Sequence, residues 1–136
     1  MLNRLRDVFA SLESRQCEYV VIGGIAAVLH GVPRATFDLD ILIEATPENA
    51  KRLLEALVDA GLGTATLVTP EELDRVRLDV QTSTPGLEYA AARQHRLRMD
   101  YQGQAFYVVS REDLIASKRA SGRPIDLDDV RRLEGG

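Results

Sequence analysis

Cysteine is almost missing from this chain: Cys17 stands alone. No internal disulfide framework can therefore form, and a reducing cytoplasm is the expected home. Long apolar runs are missing too. Nothing approaches the roughly 18 consecutive apolar residues of a membrane helix, and the N-terminus is a charged amphipathic segment rather than a signal peptide, so no membrane partner is expected. Positive charge is not in surplus, with 17 Lys and Arg against 21 Asp and Glu for a net charge of -4. That argues against a broad basic face for duplex nucleic acid, but leaves room for a local Arg cluster that holds one phosphorylated ligand. Lysine is scarce, with Lys51 and Lys118 the only two. Neither G-x-G-x-x-G nor G-x-x-x-x-G-K-S/T occurs, which excludes the Rossmann dinucleotide site and the P-loop. Repeats, low-complexity tracts and dividing linkers are absent as well. With 136 residues, 45% of them hydrophobic and 28% charged, the expectation is one domain over 1–136, able to bury its own core.

What is present centres on residues 19–44, YVVIGGIAAVLHGVPRATFDLDILIE. An apolar strand from Tyr19 to Ile22 meets the pair Gly23-Gly24, and a short helix follows from Ile25 to about His30. A loop with Arg34 and Thr36 leads to a second strand, Phe37 to Ile43. Alternation along that strand puts Asp38 and Asp40 on one face and Phe37, Leu39, Ile41 and Ile43 on the other. Two carboxylates so spaced repel each other unless a cation or ion pair lies between them. A glycine pair that opens a helix offers unpaired backbone N–H groups to an anion. Anion and cation sites thus share one short unit, which outlines a nucleotide–metal site.

The remaining elements follow from local signals. Leu2, Leu5, Val8, Phe9 and Leu12 fall at helical spacing, so residues 2–16 read as an amphipathic helix with Asn3 as its cap. Cys17 reads as an inert buried residue. Thr46-Pro47-Glu48 is a cap, proline and acid start for a helix to about Ala60, with Leu53, Leu54, Leu57 and Val58 on its buried side and Gly61 at its end. Residues 62–69 read either as a short strand or as a loop, and Thr69-Pro70-Glu71-Glu72 as a second helix start. Residues 75–81 alternate, with Val76, Leu78 and Val80 facing one way and Arg75, Arg77, Asp79 and Gln81 the other. A loop at 83–86, a short helix from Leu87 to about Gln94, and a hairpin around Gln102-Gly103 come next. Ser110 to Asp113 is a capping box for a helix through Lys118 that ends near Ser121-Gly122. A last short helix covers Val130 to Leu133, with Asp126 as its expected cap. The fold class is α/β (α+β), a mixed sheet of about four or five strands flanked by helices.

Asp79 would join Asp38 and Asp40 if its strand lies beside theirs, and three converging carboxylates make the hard-oxygen, incompletely filled site that Mg2+ favours. The competing reading pairs Asp38 and Asp40 with Arg34 and Arg77. His30 reads as a packed, hydrogen-bonded histidine and His95 as a surface one. The cluster Arg93, Arg96 and Arg98 could touch a polyanion. Lys118 either snorkels to water or reaches into a site.

The combination Gly23-Gly24, Ala26, His30-Gly31 and Arg34-x-Thr36-x-Asp38-x-Asp40 resembles the signature of the DNA polymerase beta-like nucleotidyltransferase superfamily. The C-terminal pattern Asp113-Leu114-Ile115-x-x-Lys118, then Arg123-Pro124-x-Asp126-x-x-Asp129, looks like that of its small bacterial members, the AbiEii-type and minimal nucleotidyltransferase-like proteins. The resemblance implies the nucleotidyltransferase fold, with Asp38, Asp40 and Asp79 as the catalytic and metal-binding acids. Asp79 would help to deprotonate the attacking hydroxyl. It implies Gly23, Gly24, Arg34, Thr36 and Lys118 as the nucleotide-binding set, and Asp126 either as support for Lys118 or as a helix cap. Many members carry Gly-Ser where this chain has Gly23-Gly24, so one phosphate-binding hydroxyl is missing here.

On that resemblance the expected activity is transfer of a nucleoside monophosphate from a nucleoside triphosphate to a hydroxyl of protein, RNA or a small molecule. Two Mg2+ ions, or Mn2+, would assist. The group's toxin–antitoxin and defence systems extend the expected partners to a cognate toxin or antitoxin protein, and a homodimer stays open. The alternative is a catalytically silent nucleotide-binding or partner-binding domain of the same fold. A third reading, a structural interaction domain whose acids pair with Arg34, Arg75 and Arg77, predicts no response to metal or nucleotide.

Overall fold

The computed structural model describes residues 2–34, 38–61 and 77–135, apart from the side chains of residues 2–4 and of Arg77. The expectations for residues 62–76, the strand-or-loop and the second cap–proline start, lie outside the described residues. Five strands, β1 (Tyr19–Ile22), β2 (Asp38–Ile43), β3 (Arg77–Gln81), β4 (Leu97–Tyr101) and β5 (Gln104–Val108), form one sheet in the order β3-β2-β1-β5-β4. β1 is central. It runs antiparallel to β2 and parallel to β5, while β2 and β3 are parallel and β4 and β5 antiparallel. The sheet is therefore mixed, as expected.

Six helices are found among the described residues: α1 (Leu2–Ser14), α2 (Gly23–Leu29), α3 (Pro47–Asp59), α4 (Tyr89–His95), α5 (Arg111–Ser121) and α6 (Pro124–Leu133). α1 packs on β5 and on α3, and the rings of Phe9 and Phe106 stack with centroids 4.3 Å apart. All four residues of β1 are buried, which explains why this strand reads as an unbroken apolar run rather than an alternation. None of the described helices is long and apolar enough to cross a membrane.

The local start and stop signals act as their chemistry dictates. Thr46 caps α3 by accepting from the Asn49 amide, and Ser110 caps α5 by accepting from the Asp113 amide. Gln102 and Gly103 both take positive φ between β4 and β5, the conformation that matches hairpin twist. Gly122 closes α5 in the left-handed region.

Three expectations need correction. α1 begins at Leu2, so Asn3 lies inside the helix and does not cap it. Within α3, Leu54 and Val58 are exposed and Leu57 only half-buried, whereas Asn49, Leu53 and Ala56 face inward. A polar residue sets this phase: the Asn49 side chain accepts from the Glu18 amide at 2.7 Å and donates to the carbonyls of Glu18 and Glu44 at 3.0 and 2.9 Å. α3 is thereby clipped to the start of β1 and the end of β2. Finally, α6 begins at Pro124, with Arg123 as the residue before it. Asp126 therefore lies in the first turn rather than at the cap, because Pro124 already occupies the first helical position.

Asn49→Leu keeps the branching and heavy-atom count of the side chain and removes its three hydrogen bonds. It should lower unfolding stability by about 2–4 kcal/mol, read as a lower urea midpoint with an unchanged slope.

Candidate functional site

Strand register brings the acids together. β2 and β3 pair so that Asp40 stands opposite Asp79, and Asp38 lies two residues earlier on the same face of β2. On the other side of β2, Ile22 is the register partner of Asp40. The residue after Ile22 is Gly23, the first of α2, and it sits against the Asp40 carboxylate. Gly23 has φ +72, and a Cβ built there would overlap Asp40 Oδ2 and lie 3.1 Å from its Cγ. Two independent constraints thus demand glycine: a left-handed backbone and a carboxylate in the space where a side chain would go. The expected helix start at Ile25 moves forward, since both glycines belong to its first turn.

The arrangement sets like charges close together. The half-buried Asp40 carboxyl is pushed up to about 6, first by burial, then by its hydrogen bond with Asp79 and by the charges of Asp79 and Asp38, with Lys118 pulling the other way. Burial and the neighbouring carboxylates both disfavour the charged form, and a divalent cation would offset both. The donors are all hard oxygens, which suits Mg2+ or Mn2+. Among the described residues no three His, Cys, Asp or Glu side chains converge as a ready-made cage. Of the expected three-acid site the structure thus shows the Asp40–Asp79 pair, with Asp38 two residues away on the same strand face.

Beside the acids lies a buried ionic network. The fully buried Asp129 accepts from Arg34 Nη1 and Nη2 at 2.9 and 2.5 Å, and from Lys118 Nζ at 2.9 Å. Lys118 also lies 3.6 Å from Asp126, and its side chain is only 8% exposed. Asp126, 3% exposed, takes Arg123 in a two-point pair at 2.7 and 3.2 Å. Hydrogen bonds from Arg123 and Ser121, with the charges of Arg123 and Lys118, outweigh burial and hold the Asp126 carboxyl below its usual range.

These contacts place the expected site residues. Arg34 pairs with Asp129. Lys118 reaches into the site rather than snorkelling to water. Asp126 lies beside Lys118, takes Arg123 as its nearer partner, and is not a cap. Thr36 lies outside the described residues. Asp129 and Arg123 were not among the candidate residues of the sequence reading. The signal for them was present in the C-terminal pattern, because Asp126 and Asp129 at three-residue spacing share one helix face.

Residues away from the acids are accounted for by packing. The His30 ring lies 2.8 Å from the Val109 carbonyl, and His95 is exposed beside Asp113 at 3.1 Å. Arg93 and Arg96 pair with Glu18, and Arg96 also lies over the Tyr107 ring. Arg98 lies 3.9 Å from Glu13. Cys17 is buried, and burial pushes its thiol up to about 11.

A mixed five-stranded sheet, with acids on its β2–β3 pair and a glycine pair opening the helix after β1, defines a domain of nucleotidyltransferase type. The chain matches the family model described as "Nucleotidyltransferase of unknown function (DUF6036)" over residues 2–134, and it belongs to that family. A solved structure with a similar fold is that of an antigenic nucleotidyltransferase-like protein from Paracoccidioides brasiliensis. The TM-score is 0.62 at 20% identity, over 97% of this chain and 74% of that one. No curated protein matches the chain.

The raised Asp40 carboxyl makes a signed prediction for the metal-free protein. Its contribution to stability is fully present below its unfolded value of 3.8 and is lost as pH rises through about 6. Asp40→Asn should therefore melt higher than the parent at pH 7 in EDTA, with the difference vanishing below pH 4. Equal melting temperatures at both pH values would contradict the repulsion.

Proposed function

We propose that this chain is a Mg2+-dependent nucleotidyltransferase that moves a nucleoside monophosphate from a nucleoside triphosphate to a hydroxyl acceptor on protein, RNA or a small molecule. The observation that carries the reading is Asp40 set against Asp79 with its carboxyl pushed up to about 6, pressed against a glycine that only glycine can replace. Asp38, Asp40 and Asp79 would hold two Mg2+ or Mn2+ ions, which supply neutralisation of the triphosphate and a more acidic acceptor hydroxyl. In the transfer, the acceptor oxygen bonds to the α-phosphorus, the bond to the β-phosphate oxygen breaks, and pyrophosphate leaves with that electron pair. Asp79 assists removal of the hydroxyl proton. The backbone of Gly23 and Gly24 offers N–H groups to the β- and γ-phosphates, and the missing side chains let the phosphates approach closely. Arg34 and Lys118 offset phosphate charge, Thr36 completes the nucleotide set, and Asp126 supports Lys118.

The finer setting is proposed on the motif resemblance alone. The chain works as one domain over 1–136, in a bacterial cytoplasm, as an AbiEii-type or minimal nucleotidyltransferase-like protein within a toxin–antitoxin or defence system. Its partners would include a cognate toxin or antitoxin protein and a second copy of itself. A catalytically silent nucleotide- or partner-binding domain is the second reading. One observation favours it: both cations meant for phosphate are already tied to Asp129.

The deciding experiment incubates the chain with Mg2+ and each of four α-labelled nucleoside triphosphates, plus acceptor candidates, and follows both label transfer and pyrophosphate release. Transfer by the parent, reduced at least 100-fold in Asp38→Asn/Asp40→Asn, is the expected result. Mg2+-dependent nucleotide binding without transfer would favour the silent reading. Equal transfer by the double variant would sink the assignment of the acids.

A further inference from the structure

The ionic network assigns a role to a residue that the proposed chemistry does not use. We infer that Asp129 is the positioning residue of the triphosphate site, acting through Arg34 and Lys118; this rests on the nucleotidyltransferase reading and extends it. Both carboxylate oxygens of Asp129 are engaged: Oδ1 takes Arg34 Nη2, and Oδ2 takes Arg34 Nη1 and Lys118 Nζ. The three side chains come from different places in the chain, the segment after α2, α5 and α6, and Asp129 has no exposed surface. A buried ionic cluster is a poor way to gain stability, since apolar residues of similar volume often do as well or better. Its benefit is geometric.

The geometry serves the acid pair in two ways. α2, whose first residue sits against the Asp40 carboxylate, packs on α5, the helix that carries Lys118. Without Asp129, Lys118 would be drawn toward that negative pair and would compete with a divalent cation. With Asp129 in place, the ammonium is held 2.9 Å from one buried oxygen and stays beside the acids. Arg34 is treated likewise. Its bidentate pair with Asp129 uses two of the five guanidinium donors, and the side chain remains 23% exposed, which leaves further donors and some accessible surface for a phosphate. Arg34 also precedes Asp38 by four residues. Through Asp129, α6 therefore holds Arg34, at the end of the described segment after α2.

The test uses the full chain and tripolyphosphate with Mg2+ as a base-independent probe, with binding measured by titration calorimetry. Asp129→Asn should weaken binding about tenfold or more, the range that loss of an orienting partner produces at metal sites. If Asp129→Asn does not fold, Asp129→Glu keeps the charge and moves it by one methylene. It should fold and still weaken binding. In an Arg34→Gln/Lys118→Met background the same change at Asp129 should have no further effect on affinity. Parent-like binding by a folded Asp129 variant overturns the proposal. So does an additive loss in the double-substituted background, which would mark a merely structural role. A parent chain that binds no Mg2+–tripolyphosphate at all overturns the nucleotidyltransferase reading, and this proposal with it.

Discussion

Asp40 and Asp79 face each other across neighbouring strands, and like charges so placed oppose the pairing of the strands that carry them. The surroundings of that pair read as responses to this repulsion. Gly23 gives up its side chain so that α2 can begin against the Asp40 carboxylate. Lys118 is brought from α5 to act on Asp40. The apolar faces of β1 and β2 are buried, so the sheet absorbs the cost with its core rather than by separating the strands.

The second feature is a division of charge between two compartments. The acids on β2 and β3 stand on partly exposed surface, whereas Asp126 and Asp129 lie buried among Arg34, Lys118 and Arg123. The first compartment groups three acids, and the second, among the described residues, has one more cation than anion. A metal–triphosphate complex presents the complementary pattern, cations toward the acids and phosphate oxygens toward the guanidinium and ammonium groups. Arg123, with a side chain 70% exposed, adds a positive edge to the second compartment.

Much of this was legible in the sequence, for short-range reasons. Caps at Thr46 and Ser110, the Gln102-Gly103 turn and the alternation of β2 depend on residues a few positions apart, so their patterns appear directly in the chain. The common face of Asp38 and Asp40 follows from the strand period. What could not be read depends on distant partners. Arg34 and Asp129 are 95 residues apart, and nothing near Arg34 distinguishes Asp129 from the closer Asp38 as its partner. The phase of α3 was misread because hydrophobicity selects Leu54 and Val58, whereas Asn49 turns inward to meet the backbone of β1 and β2. The register that sets Asp79 against Asp40 likewise emerges only when the strands meet. For Asp126 the local pattern leaves a cap and a support for Lys118 both open, and only the packing of α6 on α5, with Arg123 on the same carboxylate, decides between them.

The central claim is that the acids on β2 and β3 bind cations that carry a triphosphate. Its most direct test is anomalous diffraction from crystals grown with Mn2+ and a non-hydrolysable nucleoside triphosphate. The account predicts metal peaks within coordination distance of Asp38, Asp40 and Asp79, with the phosphates lying between Gly23-Gly24 and the Arg34–Lys118 pair. Metal bound elsewhere, or a triphosphate that leaves these three carboxylates untouched, would contradict it.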